Sequence, residues 1–128
     1  MSESNSHVIL IVEDAVELAQ IAQIALHRMG LQTYHAPNGQ RALDFLAGNR
    51  PDLMLLDIGL PGMSGWDILE AIKTNENADF PIIILTASGD PVNRLIGRLQ
   101  ERVIRYMVKP FSVDDLSRAV REALGTAG

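Results

Sequence analysis

A chain of 128 residues, 47% apolar and 21% charged, is long enough to bury one core and has the profile of a folded unit rather than a disordered one. A net charge of −5 argues against non-specific nucleic-acid binding, and the lack of cysteine removes disulfides, thiolate metal sites and cysteine nucleophiles. No apolar run approaches membrane-spanning length, and the polar first residues (MSESNSH) are unlike a signal sequence, so a cytoplasmic location and no membrane insertion are expected.

The first apolar run, Val8–Val12, stops at Glu13 and Asp14. After Asp14, helical spacing sets Leu18, Ile21, Ala22, Ala25 and Met29 on one face, and Gly30 is placed to end the helix. A second strand over Gln32–His35 rests mostly on Thr33 and Tyr34. Ala42, Leu43, Leu46 and Ala47 then mark a second helix. Leu53–Leu56 runs unbroken into Asp57 and the turn GLPGMSG, after which Ile68, Leu69 and Ile72 repeat helically. Pro81–Leu85 leads to Thr86, and Val92, Leu95, Ile96 and Leu99 suggest a fourth helix. Val103–Val108 leads to Lys109 and Pro110. Leu116, Ala119, Val120, Ala123 and Leu124 form the last apolar stripe, with Ser112 available as its N-cap. Residues 1–6 and 125–128 are expected to be loose ends around one domain spanning 7–124.

Strand and helix therefore alternate five times, a (βα)5 order. That order implies an α/β fold with a parallel sheet and helices on both faces. In such folds ligands and chemistry gather beyond the carboxyl ends of the strands. Here those ends hold Glu13, Asp14, Asp57, Thr86 and Lys109. Crowded carboxylates repel unless a cation relieves them, and an oxygen-only set suits a hard divalent ion, with Mg²⁺ the one expected. A lysine beside them can pair with a carboxylate or a phosphoryl oxygen. Each residue taken singly has an ordinary reading: helix-start carboxylates, a turn aspartate, a capping threonine, a solvated lysine. Together they suit phosphoryl transfer to a carboxylate, with Asp57 as nucleophile and Thr86 as hydrogen-bond donor.

The segments VILIVED, LMLLDIGLPGMSG, PIIILTA and YMVKPF resemble, in order and nearly in spacing, the receiver domain of two-component response regulators, of the stand-alone, chemotaxis-regulator-like kind. The resemblance covers essentially the whole chain. It implies a doubly wound, flavodoxin-like sheet of strand order 2-1-3-4-5. Asp57 resembles the phospho-acceptor, Asp14 a direct Mg²⁺ ligand, Glu13 a ligand mainly through water, and Gly59 a ligand through its backbone carbonyl. Thr86 resembles the switch hydroxyl, Tyr106 the switch aromatic that turns inward behind it, and Lys109 the partner lysine, with a cis Lys109–Pro110 bond. The implied protein is a signalling switch rather than an enzyme acting on a separate substrate. It would be phosphorylated by a histidine kinase or histidine phosphotransfer protein. It would signal through the surface of its fourth helix, fifth strand and fifth helix, as a monomer or a phosphorylation-dependent dimer. No DNA-binding domain is evident, so output through protein contact is expected. A receiver module of a hybrid kinase, and a receiver-like binding module never phosphorylated, are the alternatives. A haloacid-dehalogenase-type phosphohydrolase would need a second aspartate where Gly59 stands.

Three features depart from the family pattern. The stretch ERVIRY replaces a Gly-Ala before the fifth strand, and Thr86 to Lys109 is one residue longer than usual, so the end of the fourth helix is expected to be rearranged. Arg94, Arg98 and Arg102 recur every four residues, either as a solvated face or as a basic ridge for an acidic partner or second receiver. Gly59 and Ser88 are small where the family flanks the phosphoryl group, which predicts an open path for water and a short-lived phosphoryl state. His7, His27 and His35 form no metal spacing and read as surface or structural residues, and Trp66 as a packing residue near the site.

Overall fold

The computed structural model describes residues 7–75, 78–87 and 102–125. Five strands are present: β1 (Val8–Val12), β2 (Gln32–Ala36), β3 (Leu53–Asp57), β4 (Ile82–Ala87) and β5 (Val103–Lys109). Four helices accompany them among the described residues: α1 (Val16–Arg28), α2 (Gly39–Gly48), α3 (Gly65–Ile72) and α4 (Val113–Ala123). The sheet is parallel, as the alternation of strand and helix implied, with order β2-β1-β3-β4-β5, as the family resemblance implied. The expected helix between the fourth and fifth strands, with Ser88, Arg94 and Arg98, lies outside the described residues, as do residues 1–6 and 126–128.

Alternation along each strand sorts the core into two layers. Ile9, Ile11, Leu53, Leu55, Ile83 and Leu85 meet Ala19, Ala22 and Leu26 of α1 and Leu116, Ala119 and Val120 of α4. Leu10, Val12, Met54, Leu56, Ile82 and Ile84 meet Ala42 and Leu46 of α2 and Ile68, Leu69 and Ile72 of α3. Strands β1, β3 and β4 are thus covered on both faces, which is why they read as unbroken apolar runs. The covered strands hold the site's backbone rigid, since each buried Leu or Ile is worth about 2 kcal/mol relative to exposure.

The α1 stripe differs from the reading by spacing. Ala19, Ala22, Ala25 and Leu26 are buried, whereas Ile21 is 50% and Ile24 54% exposed. Alanines let the helix lie close on the sheet, and that contact face is rotated away from the larger isoleucines. Gly30 ends the helix as expected, with φ +83 and its N–H on His27 O at 2.9 Å. Ser64 and Asp67 form a reciprocal capping box on α3, and Ser112 accepts from Asp115 N at 2.9 Å to cap α4.

Pairing of β4 with β5 slips by one residue: Ile82 aligns with Val103 but Ile83 with Arg105. Ile104 is the residue passed over, a bulge on an edge strand. Arg102, the one member of the basic series described, is half-buried and near enough to Asp79 to help Arg50 hold that carboxyl below its usual range.

Candidate functional site

β1 and β3 lie side by side, Val12 aligned with Leu56, so their carboxyl ends release Glu13 and Asp57 at the same level. Asp57 is the last residue of β3 rather than the first of the turn, and only 4% exposed. Glu13 is fully buried, while Asp14 is exposed. One carboxylate oxygen from each of Glu13, Asp14 and Asp57 lies within 4.8 Å of the others.

Lys109, at the end of β5, reaches across to this group. Its Nζ is 2.8 Å from Glu13 Oε1 and 3.1 Å from Asp57 Oδ2. Glu13 Oε2 accepts from Ala15 N at 3.1 Å, and Asp57 Oδ1 accepts from Gly59 N at 2.8 Å. Burial raises the Glu13 carboxyl above the ordinary glutamate value, outweighing the Lys109 contact and the Ala15 hydrogen bond that favour its charge. Burial pulls Lys109 the other way, yet its contacts with Glu13 and then Asp57 leave it above the usual lysine value. The lysine is thus charged, and the acids are held together by it. The Lys109–Pro110 bond is cis, as the resemblance implied.

Thr86 lies within β4, one residue beyond the Leu85 that aligns with Asp57, and is 1% exposed. Its Oγ1 donates to Ala87 O at 3.1 Å. Tyr106 aligns with Ile84 on the neighbouring strand and is 39% exposed; partial burial raises its phenol pKa. The structure therefore gathers Glu13, Asp14, Asp57, Gly59 and Lys109 directly, with Thr86 in the adjoining strand and Tyr106 on the edge strand beyond it.

The donor set fits a hard divalent cation. It is all oxygen, three carboxylates converge, and Glu13 Oε1 is buried with an ion pair to Lys109 but no well-angled hydrogen bond.

Two neighbours escaped the reading of the sequence. The ring of His35 bonds the Glu13 carbonyl oxygen at 2.7 Å, a link across 22 positions that no local pattern announces. Gly65 sits so close to β3 that a Cβ there would stand 2.6 Å from Ile58 Cα and 2.8 Å from Asp57 O. The signal for Gly65 was present in GLPGMSG but was absorbed into the turn.

Three acids and a lysine thus stand at the carboxyl edge of a doubly wound α/β sheet, the place where such folds bind their ligands. The model of the response regulator receiver domain matches residues 9–121, and the chain belongs to that family. It is a receiver domain of two-component response regulators and works in phosphorylation-based signalling. Sporulation initiation phosphotransferase F of Bacillus subtilis is 35% identical over 120 residues, covering 91% of this chain and 92% of that protein. The phosphate regulon transcriptional regulatory protein PhoB of Pseudomonas aeruginosa is 36% identical over 121 residues, covering 94% of this chain and 52% of the relative. A CheY-like receiver domain protein of Methanospirillum hungatei superposes with a TM-score of 0.83 at 34% identity, over 92% of this chain and 94% of that one. The chain spans about half the length of several curated relatives it matches, among them PhoB at 52%. Among the described residues no helix is long and apolar enough to cross a membrane.

Proposed function

We propose that this chain is a phosphorylation-controlled switch that accepts a phosphoryl group on Asp57 from the phosphohistidine of a histidine kinase or histidine phosphotransfer protein. The observation that supports this most is Lys109 bridging Glu13 and Asp57 at the tip of β3, beside Asp14. In this reading Glu13, Asp14, Asp57 and the Gly59 carbonyl hold Mg²⁺, which when bound neutralises charge on the transferring group.

The Asp57 carboxylate attacks phosphorus. An O–P bond forms as the donor's P–N bond breaks, and the bonding pair returns to the imidazole. Lys109 turns its ammonium to the incoming oxygens, because the carboxylate it pairs with has become an acyl phosphate. Thr86 exchanges its donation to Ala87 O for a phosphoryl oxygen, and Tyr106 turns inward behind it. β5, α4 and the segment before β5 then present a changed surface to a protein partner. Exposed Ile104, Tyr106, Val108 and Val113, with a cleft of about 330 Å³ lined by Arg105, Tyr106, Phe111 and Arg118, support an output face there. The chemistry is the protein's own phosphotransfer and autodephosphorylation, with no separate substrate turned over.

The test treats wild type and Asp57→Asn with Mg²⁺ and a small phosphodonor, reading intact mass and elution volume. A gain of one phosphoryl group in wild type alone supports the reading; no gain, or an equal gain in both, overturns it. A change of elution volume on phosphorylation reports a dimer.

Gly59 is exposed beside Asp57, and its lack of a side chain leaves the approach of water open. Gly59→Arg is expected to lengthen the phosphoryl lifetime several-fold, followed as loss of the added mass with time. An unchanged lifetime would show that water is gated elsewhere.

A further inference from the structure

We propose that His35 is a positioning residue for the acidic pair, fixing the peptide plane between Glu13 and Asp14 so that both carboxylates face one cation. The inference rests on reading the acid trio as a Mg²⁺ site. His35 lies on β2 aligned with Ile11, half-buried, with Nε2 2.7 Å from Glu13 O. A carbonyl oxygen only accepts, so Nε2 carries the proton and donates. The next residue of β2 completes the grip, for Glu13 N donates to Ala36 O at 3.1 Å. Glu13, one residue past the end of β1, is therefore held by both its N–H and its C=O.

The consequence falls on Asp14 more than on Glu13. The Glu13 side chain has its own restraints, Lys109 on one oxygen and Ala15 N on the other. Asp14 is exposed, so the direction of its carboxylate depends on where the backbone aims it. The Glu13 C=O and the Asp14 N–H belong to one planar amide. Pinning the oxygen to His35 sets the direction in which the chain leaves toward Asp14 Cα. Without that bond the plane can rotate, and Asp14 swings away from the point where the three carboxylates meet. This is outer-shell support of the kind whose loss costs about tenfold or more in metal affinity.

Side-chain chemistry supplies a sharp test. The amide nitrogen of glutamine stands as many bonds from Cβ as Nε2 of histidine, whereas that of asparagine stands one bond short. His35→Gln keeps a donor at the right reach, His35→Asn withdraws it, and His35→Leu removes it. Mg²⁺ is titrated into each variant and wild type, read by Trp66 fluorescence and by calorimetry, with the thermal midpoint measured in parallel. Expected is a dissociation constant about tenfold higher for the Asn and Leu variants and within about twofold of wild type for Gln. Equal affinity in all three variants, or a Gln variant as weak as Leu, overturns the assignment, whatever their stabilities. A wild type that binds no Mg²⁺ would overturn the metal-site reading and this inference with it, whereas a wild type that binds while the variants are alike removes His35 alone.

Discussion

Lys109→Gln is expected to cost the metal-free protein about 2 kcal/mol at pH 7, strengthen its response to Mg²⁺, and abolish phosphorylation of Asp57. The ammonium sits between Glu13 Oε1 at 2.8 Å and Asp57 Oδ2 at 3.1 Å, with the lysine side chain 24% exposed and both acids nearly sealed from water. Removing one partner of a fully buried pair leaves an uncompensated charge and costs about 3–5 kcal/mol. The partial exposure of Lys109 lets water screen part of that loss. The sign follows from the direction of its pKa, which the two carboxylates leave raised. The stabilisation is complete below the ordinary lysine value and fades only as pH rises through the higher folded one, so at neutral pH all of it is at stake. Glutamine removes the charge that shares the carboxylates with a metal, so a divalent cation should raise the thermal midpoint more in the variant than in wild type. Phosphorylation fails for a separate reason, the missing ammonium over the transferring oxygens. Thermal melts with and without Mg²⁺, and intact mass after phosphodonor treatment, check all three. An unchanged midpoint without metal would mean that Lys109 adds nothing to holding the acids together.

The same residues show why so much of the site was legible in the chain. Glu13, Asp57 and Thr86 stand at the ends of β1, β3 and β4, and strands buried on both faces cannot slip register without exposing their whole inner set; Lys109 ends the edge strand β5 beside them. Once the order is doubly wound, their carboxyl ends must share one edge of the sheet. The α1 contact face was less legible, because hydrophobic spacing weights isoleucine over alanine while close helix–sheet packing prefers alanine. Ile21 and Ile24 therefore face solvent where Ala22 and Leu26 face the sheet. The bulge at Ile104 was not legible, since nothing in ERVIRY says which position leaves the ladder. His35 was read only as a surface or structural residue, because its partner is a backbone carbonyl beyond the end of another strand.

Gly65→Ala is expected to destabilise the fold by about 3 kcal/mol and to disorder the approach to Asp57, although it adds one methyl group at the start of a capped helix. Gly65 N donates to Ile58 O at 3.2 Å, which brings the first turn of α3 directly against the backbone leaving β3. An added Cβ would lie 2.6 Å from Ile58 Cα, 2.8 Å from Asp57 O and 3.1 Å from Ile58 Cγ2. Backbone atoms cannot step aside as a flexible side chain can. Either α3 moves off, breaking its Ser64–Asp67 cap and lifting Ile68 and Leu69 from the core, or the Asp57–Ile58 peptide moves and takes the carboxylate with it. Both routes lower stability, and the second also weakens Mg²⁺ binding. Gly48 supplies the contrast, since a Cβ there meets nothing within 4 Å at the end of α2. Gly48→Ala should be neutral or stabilising by up to about 1 kcal/mol through helix propensity alone. Urea unfolding of the two variants separates close approach from propensity. Equal midpoints would show that α3 can retreat from β3 without cost, and that the short Asp57–Gly65 turn is not what fixes the acceptor.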